Sequence, residues 1–233
     1  MSYNWLNIIQ QYLLPPTCIL CGHRGYLVRD LCFTCYQHLP RNLLCCPRCA
    51  LALEPNMAQP LVCGRCLSRE PAYDETCVPF LYQGEIRYLI THLKFAAQYK
   101  NARLLGQLLA EQLKETIDKP DLLIPVPLHK ARYNERGFNQ AIEIARVVAK
   151  ELQIPLELNA CIRQRDTPHQ TRLTAKQRRK NVKNAFALVK PLVVEHVAIV
   201  DDVMTTGSTA HELAVLLKKA GVKRVAVWAC ARA

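Results

Sequence analysis

Three features of the 233-residue chain predict an α/β domain with a mainly parallel sheet, preceded by a small metal-held segment. Over residues 77–233, apolar runs of strand length alternate with amphipathic runs of helical length, which is the pattern of parallel strands joined by helices. Over residues 1–76, eight cysteines recur as four C-x-x-C pairs among few large apolar residues. Finally, Val197 to Thr209 sets an apolar run, two carboxylates and a hydroxyl-rich loop around a glycine in front of the helical stretch Ala210–Ala220. Such a strand, loop and helix start make an anion site.

The pairs are Cys18/Cys21, Cys32/Cys35, Cys46/Cys49 and Cys63/Cys66, separated by ten, ten and thirteen residues. Gly22 and Gly64 directly follow a cysteine, where a knuckle turn needs a small residue. Eight thiolates make two tetrahedral four-cysteine sites for structural zinc. Sequential pairing gives one ion to Cys18, Cys21, Cys32 and Cys35 and the other to Cys46, Cys49, Cys63 and Cys66, a double zinc ribbon; cross-bracing is the alternative. Redox use of a C-x-x-C calls for a βαβ context that this segment lacks. With so little apolar material, the metal supplies much of the folding free energy. Cys45, Cys77, Cys161 and Cys230 fall outside the spacing and read as small buried hydrophobes. Ahead of the pairs, Trp5, Ile8, Ile9, Tyr12 and Leu13 fall at helical spacing before Pro15-Pro16, predicting a short helix docked on the protein. No secretory leader pattern opens the chain and no run of 18 apolar residues occurs, so a cytoplasmic protein with reduced thiols is expected.

A composition shift over Pro71–Pro79 divides the chain into residues 1–76 and 77–233. Beyond it the pattern predicts a strand at Val78–Tyr82, helices at Ile86–Phe95 and Ala102–Ile117, and a strand at Leu122–Pro127. A helix at Phe138–Leu152 and a last strand at Arg224–Ala231 follow. Between strand and helix, His129 to Gln140 reads as a basic, glycine-containing anion loop. Its Arg132 and Arg136 are spaced to converge on one multivalent anion, for which guanidinium forks are suited; a solvated basic turn is the plain alternative. At the end of the next buried strand, the adjacent acids Asp201 and Asp202 are costly without a partner. Thr205, Thr206, Ser208 and Thr209 offer hydroxyls, Gly207 allows close backbone approach, and the helix start favours a phosphate. A Walker A loop would need a lysine that is missing here.

Asp201-Asp202 followed by Thr205-Thr206-Gly207-Ser208-Thr209 resembles the phosphoribosyl pyrophosphate (PRPP) loop of type I phosphoribosyltransferases. The resemblance implies that the acid pair holds the ribose 2′ and 3′ hydroxyls and the loop cradles the 5′-phosphate, a division that suits acceptors and donors respectively. Residues 124–140 resemble that family's pyrophosphate loop. Pro125-Val126-Pro127-Leu128 with Arg136-Gly137-Phe138-Asn139-Gln140 is similar to the ComF/GntX branch, in which zinc ribbons precede a phosphoribosyltransferase-like domain. The likeness covers essentially the whole chain. It implies magnesium bound with PRPP or a related phosphorylated ribose, and Asp201, Asp202, Arg132 and Arg136 as the groups acting on it.

Charge is placed unevenly. Residues 1–76 carry six Arg and five acids, a net +1, which leaves +11 of the total +12 to residues 77–233 and points to an anionic partner. From 163 to 190, nine Lys or Arg stand against one acid. Arg163, Arg165, Arg172, Lys176, Arg178, Arg179, Lys180 and Lys183 lie there with few apolar anchors, the pattern of an arm or hairpin over the site. The segment resembles the family's flexible loop that closes over PRPP, with Arg163, Thr167, Gln170, Leu173, Arg178 and Asn181 matching the branch. A solvated charged face is the alternative, and so is a nucleic-acid track, though sparse aromatics argue against base reading.

Two functions follow from the resemblance. One is handling of incoming single-stranded DNA in natural transformation, beside a DNA translocase. The other is a phosphoribosyltransferase, in which an acceptor attacks C1 of the ribose as pyrophosphate leaves and Arg132, Arg136 and the arm cations stabilise the leaving charge. Base salvage is disfavoured, because after Gly221 only one strand remains and no further segment builds a hood.

Overall fold

The computed structural model describes residues 15–26, 29–54, 61–114, 118–165 and 182–233. The helix expected within residues 1–14 lies outside them, as do the arm residues 166–181 with Arg172, Lys176, Arg178, Arg179 and Lys180.

The zinc segment contributes two short helices, α1 (Phe33–Gln37) and α2 (Gly64–Ser68). The rest builds a sheet from β1 (Glu75–Cys77), β2 (Phe80–Leu81), β3 (Leu122–Pro125), β6 (His196–Met204) and β7 (Arg224–Arg232). Its order is β1-β7-β6-β3, with β2 continuing along β7, and every pairing is parallel. Helices α3 (Gly84–Ala96), α4 (Tyr99–Lys114) and α6 (Gln140–Leu152) share the core on one face, and α7 (Ser208–Lys219) packs on the other. The period of two along β6 divides its residues accordingly: Ala198 and Val200 join the first core, Val197 and Ile199 the second. Among the described residues Trp228 is the largest fully buried side chain, and it belongs to the first. Gly106 lets α4 close on α6, since a Cβ there would sit 2.6 Å from that of Val147.

The two zinc clusters end on opposite faces of this sheet. Cys18 belongs to the core with α3, α4 and α6, and that end is tied to α4 by Arg29 Nη1 to Glu111 Oε2 at 2.7 Å. Cys46, Cys49, Cys63 and Cys66 belong to the core under α7. Asn42 fastens the crossing between them, donating from Nδ2 to the carbonyls of Ala50 at 2.9 Å and Val78 at 3.1 Å.

Three expectations change. The strand expected at Val78–Tyr82 is two short strands, β1 beginning earlier and β2 after Pro79. The basic stretch after β3 is a short helix, α5 (Lys130–Arg136), started by Ala131 N–H donating to His129 Nδ1 and ended by Gly137 in the left-handed region at φ 81°. The acid pair, expected at the end of its strand, lies inside β6, which continues along β7 until Met204 pairs with Arg232. Of the four surplus cysteines, Cys161 and Cys230 are buried, while Cys45 and Cys77 are half-buried. The basic segment begins and ends as a hairpin, β4 (Cys161–Arg163) antiparallel to β5 (Phe186–Leu188).

Candidate functional site

A cleft of about 280 Å³ opens at the carboxyl ends of β3 and β6, where a parallel sheet with helices on both faces presents its ligand loops. Asp201 and Asp202 from β6 line it together with Thr205, Gly207, Ser208 and Thr209. Arg132 and Arg136 from α5 and Arg163 from β4 line it too. Thr206 and Lys183 line a neighbouring cavity, and Arg165 donates from Nη1 to the Lys183 carbonyl at 3.1 Å at the base of the hairpin.

Within the acid pair the two carboxyls differ. Asp202 is 3 % exposed; its Oδ2 pairs with Lys94 Nζ and its Oδ1 accepts from Gln140 Nε2 at 3.2 Å. Asp201 Oδ1 accepts from the Asp202 backbone N–H at 2.9 Å. Burial pushes the Asp201 carboxyl well above the usual range, and the charge on Asp202 adds to that. Burial acts on Asp202 as well, but the Lys94 ammonium outweighs it and holds that carboxyl low.

The loop after β6 turns at Gly207, whose φ of 72° precedes the first residue of α7. A Cβ there would approach the Tyr73 hydroxyl at 2.8 Å and Met204 Cε at 2.9 Å, so the loop passes in close contact with a residue that precedes β1. Thr206 Oγ1 accepts from the Ser208 N–H at 3.3 Å and lies 2.8 Å from Ser208 Oγ. On the opposite wall, Arg136 donates to Gln140 Oε1 at 2.6 Å and lies over the Phe95 ring at 5.7 Å. Asn139 caps α6 through the Ala141 N–H and donates to the Val126 carbonyl at 3.0 Å, fixing the α5–α6 corner to the end of β3.

Sequence reasoning missed Lys94 and Gln140. A signal for Lys94 was present: Ile86, Ile90 and Lys94 form one i, i+4 row, the first two fully buried, so a lysine continues a core stripe. An ammonium there needs an anion.

The cysteines group sequentially. In each set, Cys18, Cys21, Cys32 and Cys35 or Cys46, Cys49, Cys63 and Cys66, the sulfurs all lie within 4.8 Å of one another, with Cys21 to Cys32 at 3.5 Å and Cys49 to Cys63 at 3.6 Å. Tetrahedral coordination at zinc–sulfur lengths requires about 3.8 Å between sulfurs. Both sets fit a structural zinc ion. Backbone N–H groups of Cys35 and Cys63 already point at Cys32 and Cys46 Sγ, each at 3.4 Å, as thiolate ligands require.

The second cluster reaches the loop through Arg232, a buried guanidinium at 4 % exposure. It donates to the Cys49 carbonyl at 3.0 Å and to the Met204 carbonyl at 3.0 Å, and also to the carbonyls of Thr205 and Ala233. Arg65 of α2 donates to the Thr206 carbonyl. The second cysteine cluster and the loop after β6 are thus held to one another by two arginines.

A double zinc ribbon joined to a type I phosphoribosyltransferase-like domain is the class these features define. The family pattern of the double zinc ribbon domain matches residues 9–67. Competence protein F of Haemophilus influenzae is 36% identical, covering 93% of this chain and 96% of its own. DNA utilization protein YhgH of Escherichia coli is 34% identical, covering 94% and 98%. Among solved structures, the glutamine PRPP amidotransferase of B. subtilis matches with 24% identity and a TM-score of 0.38 over 55% of this chain and 25% of that one. The chain belongs to the ComF/GntX family of competence protein F and the DNA utilization proteins.

Proposed function

We propose that this protein handles incoming single-stranded DNA during natural transformation, on the cytoplasmic side and beside a DNA translocase, and that its cleft binds PRPP or a related phosphorylated ribose with magnesium. The observation that carries the reading is the meeting of an acid pair, a hydroxyl-bearing loop at a helix start and three arginines on one cleft. Asp201 and Asp202 accept from the ribose hydroxyls. Thr205, Thr206, Ser208 and Thr209 donate to the 5′-phosphate at the positive end of α7, and Gly207 leaves room for it. Arg132 and Arg136 face the pyrophosphate, and magnesium, when bound with it, neutralises its charge. Similarity to competence and DNA utilization proteins supports the DNA half. Among the described residues no helix is long and apolar enough to cross a membrane.

A second reading, phosphoribosyl transfer to an unidentified acceptor, is favoured by one feature. Tyr82 and Phe95 line the same cleft beside Lys94, and Phe95 is 75 % exposed, an aromatic face open to a planar acceptor. Release of pyrophosphate from PRPP on adding bases or single-stranded DNA would select this reading.

The arm tests the DNA half. Replacing Arg178, Arg179 and Lys180 by Ala is expected to weaken single-stranded DNA binding and lower its salt slope by about 2, at about 0.7 per lost phosphate contact. Anisotropy titrations over a salt series measure it, and an unchanged slope would remove the arm from the track.

A further inference from the structure

On the other side of the phosphate-type loop lies a second cleft, of about 220 Å³, between α2 of the zinc segment and the start of α7. Thr206, Gly207 and Ser208 form the wall it shares with that loop. Arg65, Arg69, Lys183 and His211 bring donors to it, and Glu70 and Glu212 are its acids. The acids are already engaged: Glu70 with Arg48 at 3.2 Å, and Glu212 with the Asn184 N–H at 3.1 Å. Arg69 and Lys183 form no ion pair among the described residues. His211 accepts the Ala72 N–H on Nδ1 at 3.0 Å, which leaves its Nε2 position to donate.

A buried donor also opens onto this cleft. Tyr73 is 2 % exposed and lines the cavity, yet its hydroxyl makes no hydrogen bond among the described residues. Its oxygen lies against Gly207, at the back of the loop. The hydroxyl is the one polar atom of a nearly fully buried ring at the cavity wall, and an acceptor in the cleft would give it a partner. Burial pushes Tyr73 ionisation upward, so the phenol remains a donor.

We propose that this second cleft binds a phosphate of a single-stranded nucleic acid, held by Tyr73, Arg69, Arg65 and Lys183. The inference rests on the DNA half of the reading above and gives it a place. A strand is favoured over a free phosphate because the cations do not stop at the cleft. Lys183 stands at the base of the β4–β5 hairpin, where Arg165 donates to its carbonyl, and Arg163 of β4 in the same hairpin lines the ribose cleft. A polyanion entering at Arg69 would be drawn along that line and past the ribose cleft.

The test uses the full zinc-loaded chain, a labelled oligothymidylate in anisotropy titrations, and PRPP with magnesium in parallel calorimetry. Arg69→Glu is expected to weaken the strand about tenfold and lower its salt slope by about 0.7. Tyr73→Phe, a conservative change, is expected to weaken it about threefold to tenfold, as the loss of one hydrogen bond does. Both variants should keep two zinc ions, the wild-type melting temperature and PRPP affinity within about twofold of wild type. Unchanged strand affinity and slope in both variants would overturn the proposal. Inorganic phosphate bound by the wild type and lost in Arg69→Glu, with strand affinity and slope unchanged in that variant, would assign the cleft to a free phosphate and overturn it too. A wild-type protein that binds PRPP but no strand would sink the subsite and leave the ribose cleft standing. Strand binding that depends on Arg69, without PRPP binding, would keep the subsite and remove the PRPP half of the reading.

Discussion

Asp201→Asn with Asp202→Asn is expected to abolish PRPP binding, a loss of at least about a hundredfold, while single-stranded DNA affinity stays equal or rises slightly. Each carboxylate lost as an acceptor from a ribose hydroxyl removes a charge-assisted hydrogen bond of about 1.5–3 kcal/mol. The two changes also have different structural effects. Asp202 is the partner of Lys94 in a buried pair, so its replacement leaves an ammonium unpaired and destabilises by about 3–5 kcal/mol. Asp201 forms no ion pair among the described residues, and its carboxyl is one that burial already drives toward the neutral form. Asp201→Asn alone should therefore lower PRPP affinity with little change in melting temperature, while Asp202→Asn lowers both. Adding Lys94→Met to Asp202→Asn should restore much of the stability without restoring binding. Calorimetry and thermal melting read the two effects separately, and PRPP binding that survives the double substitution would refute the assignment of the acid pair.

Loss of the second zinc is expected to disable the ribose cleft, whereas loss of the first is not. Cys49→Ser removes a ligand of the cluster whose knuckle carbonyl accepts from Arg232, and Arg232 in turn holds the carbonyls of Met204 and Thr205 where the loop begins. The first cluster has no such path among the described residues; it sits against α4 on the opposite face of the sheet. Cys49→Ser should reduce bound zinc from two ions to one, lower the melting temperature by about 10 °C and weaken PRPP by at least about tenfold. Cys21→Ser, at an exposed ligand of the first cluster, should lose one zinc with PRPP affinity close to wild type. Arg232→Met separates metal from linkage: zinc stays at two ions, but several buried carbonyls lose their donor and the loop loosens. Zinc analysis and calorimetry on the three variants decide the matter, and equal PRPP loss from both clusters would show a general effect of unfolding.

The parallel sheet was legible because β6 and β7 are apolar on both faces, as a sheet covered by helices on each side requires. The cysteine pairing was legible because its spacing leaves few folds for eight thiolates. What remained hidden were the partners met across the fold that no motif signals. Lys94 reaches Asp202 from a distant part of the sequence, and only its place in a core stripe hinted at it. Arg232 lies just past the strand expected at Arg224–Ala231, and nothing local reveals that its neighbours will be the carbonyls of a zinc knuckle and a loop. The basic stretch before α6 looked like a loop, since its glycine signalled a turn; in the structure that glycine ends a helix.

Titration of PRPP with magnesium into the zinc-loaded protein, in two buffers of different ionisation enthalpy, tests the ribose cleft most directly. Micromolar binding with proton release is the expected result. The Asp201 carboxyl, raised by burial, keeps its proton at pH values where an exposed aspartate has lost it. Accepting hydrogen bonds from ribose hydroxyls favours the anion, so binding expels that proton and strengthens as pH rises toward the ligand-free pKa. No binding to folded protein carrying both zinc ions, across that pH range, would contradict the cleft's assignment.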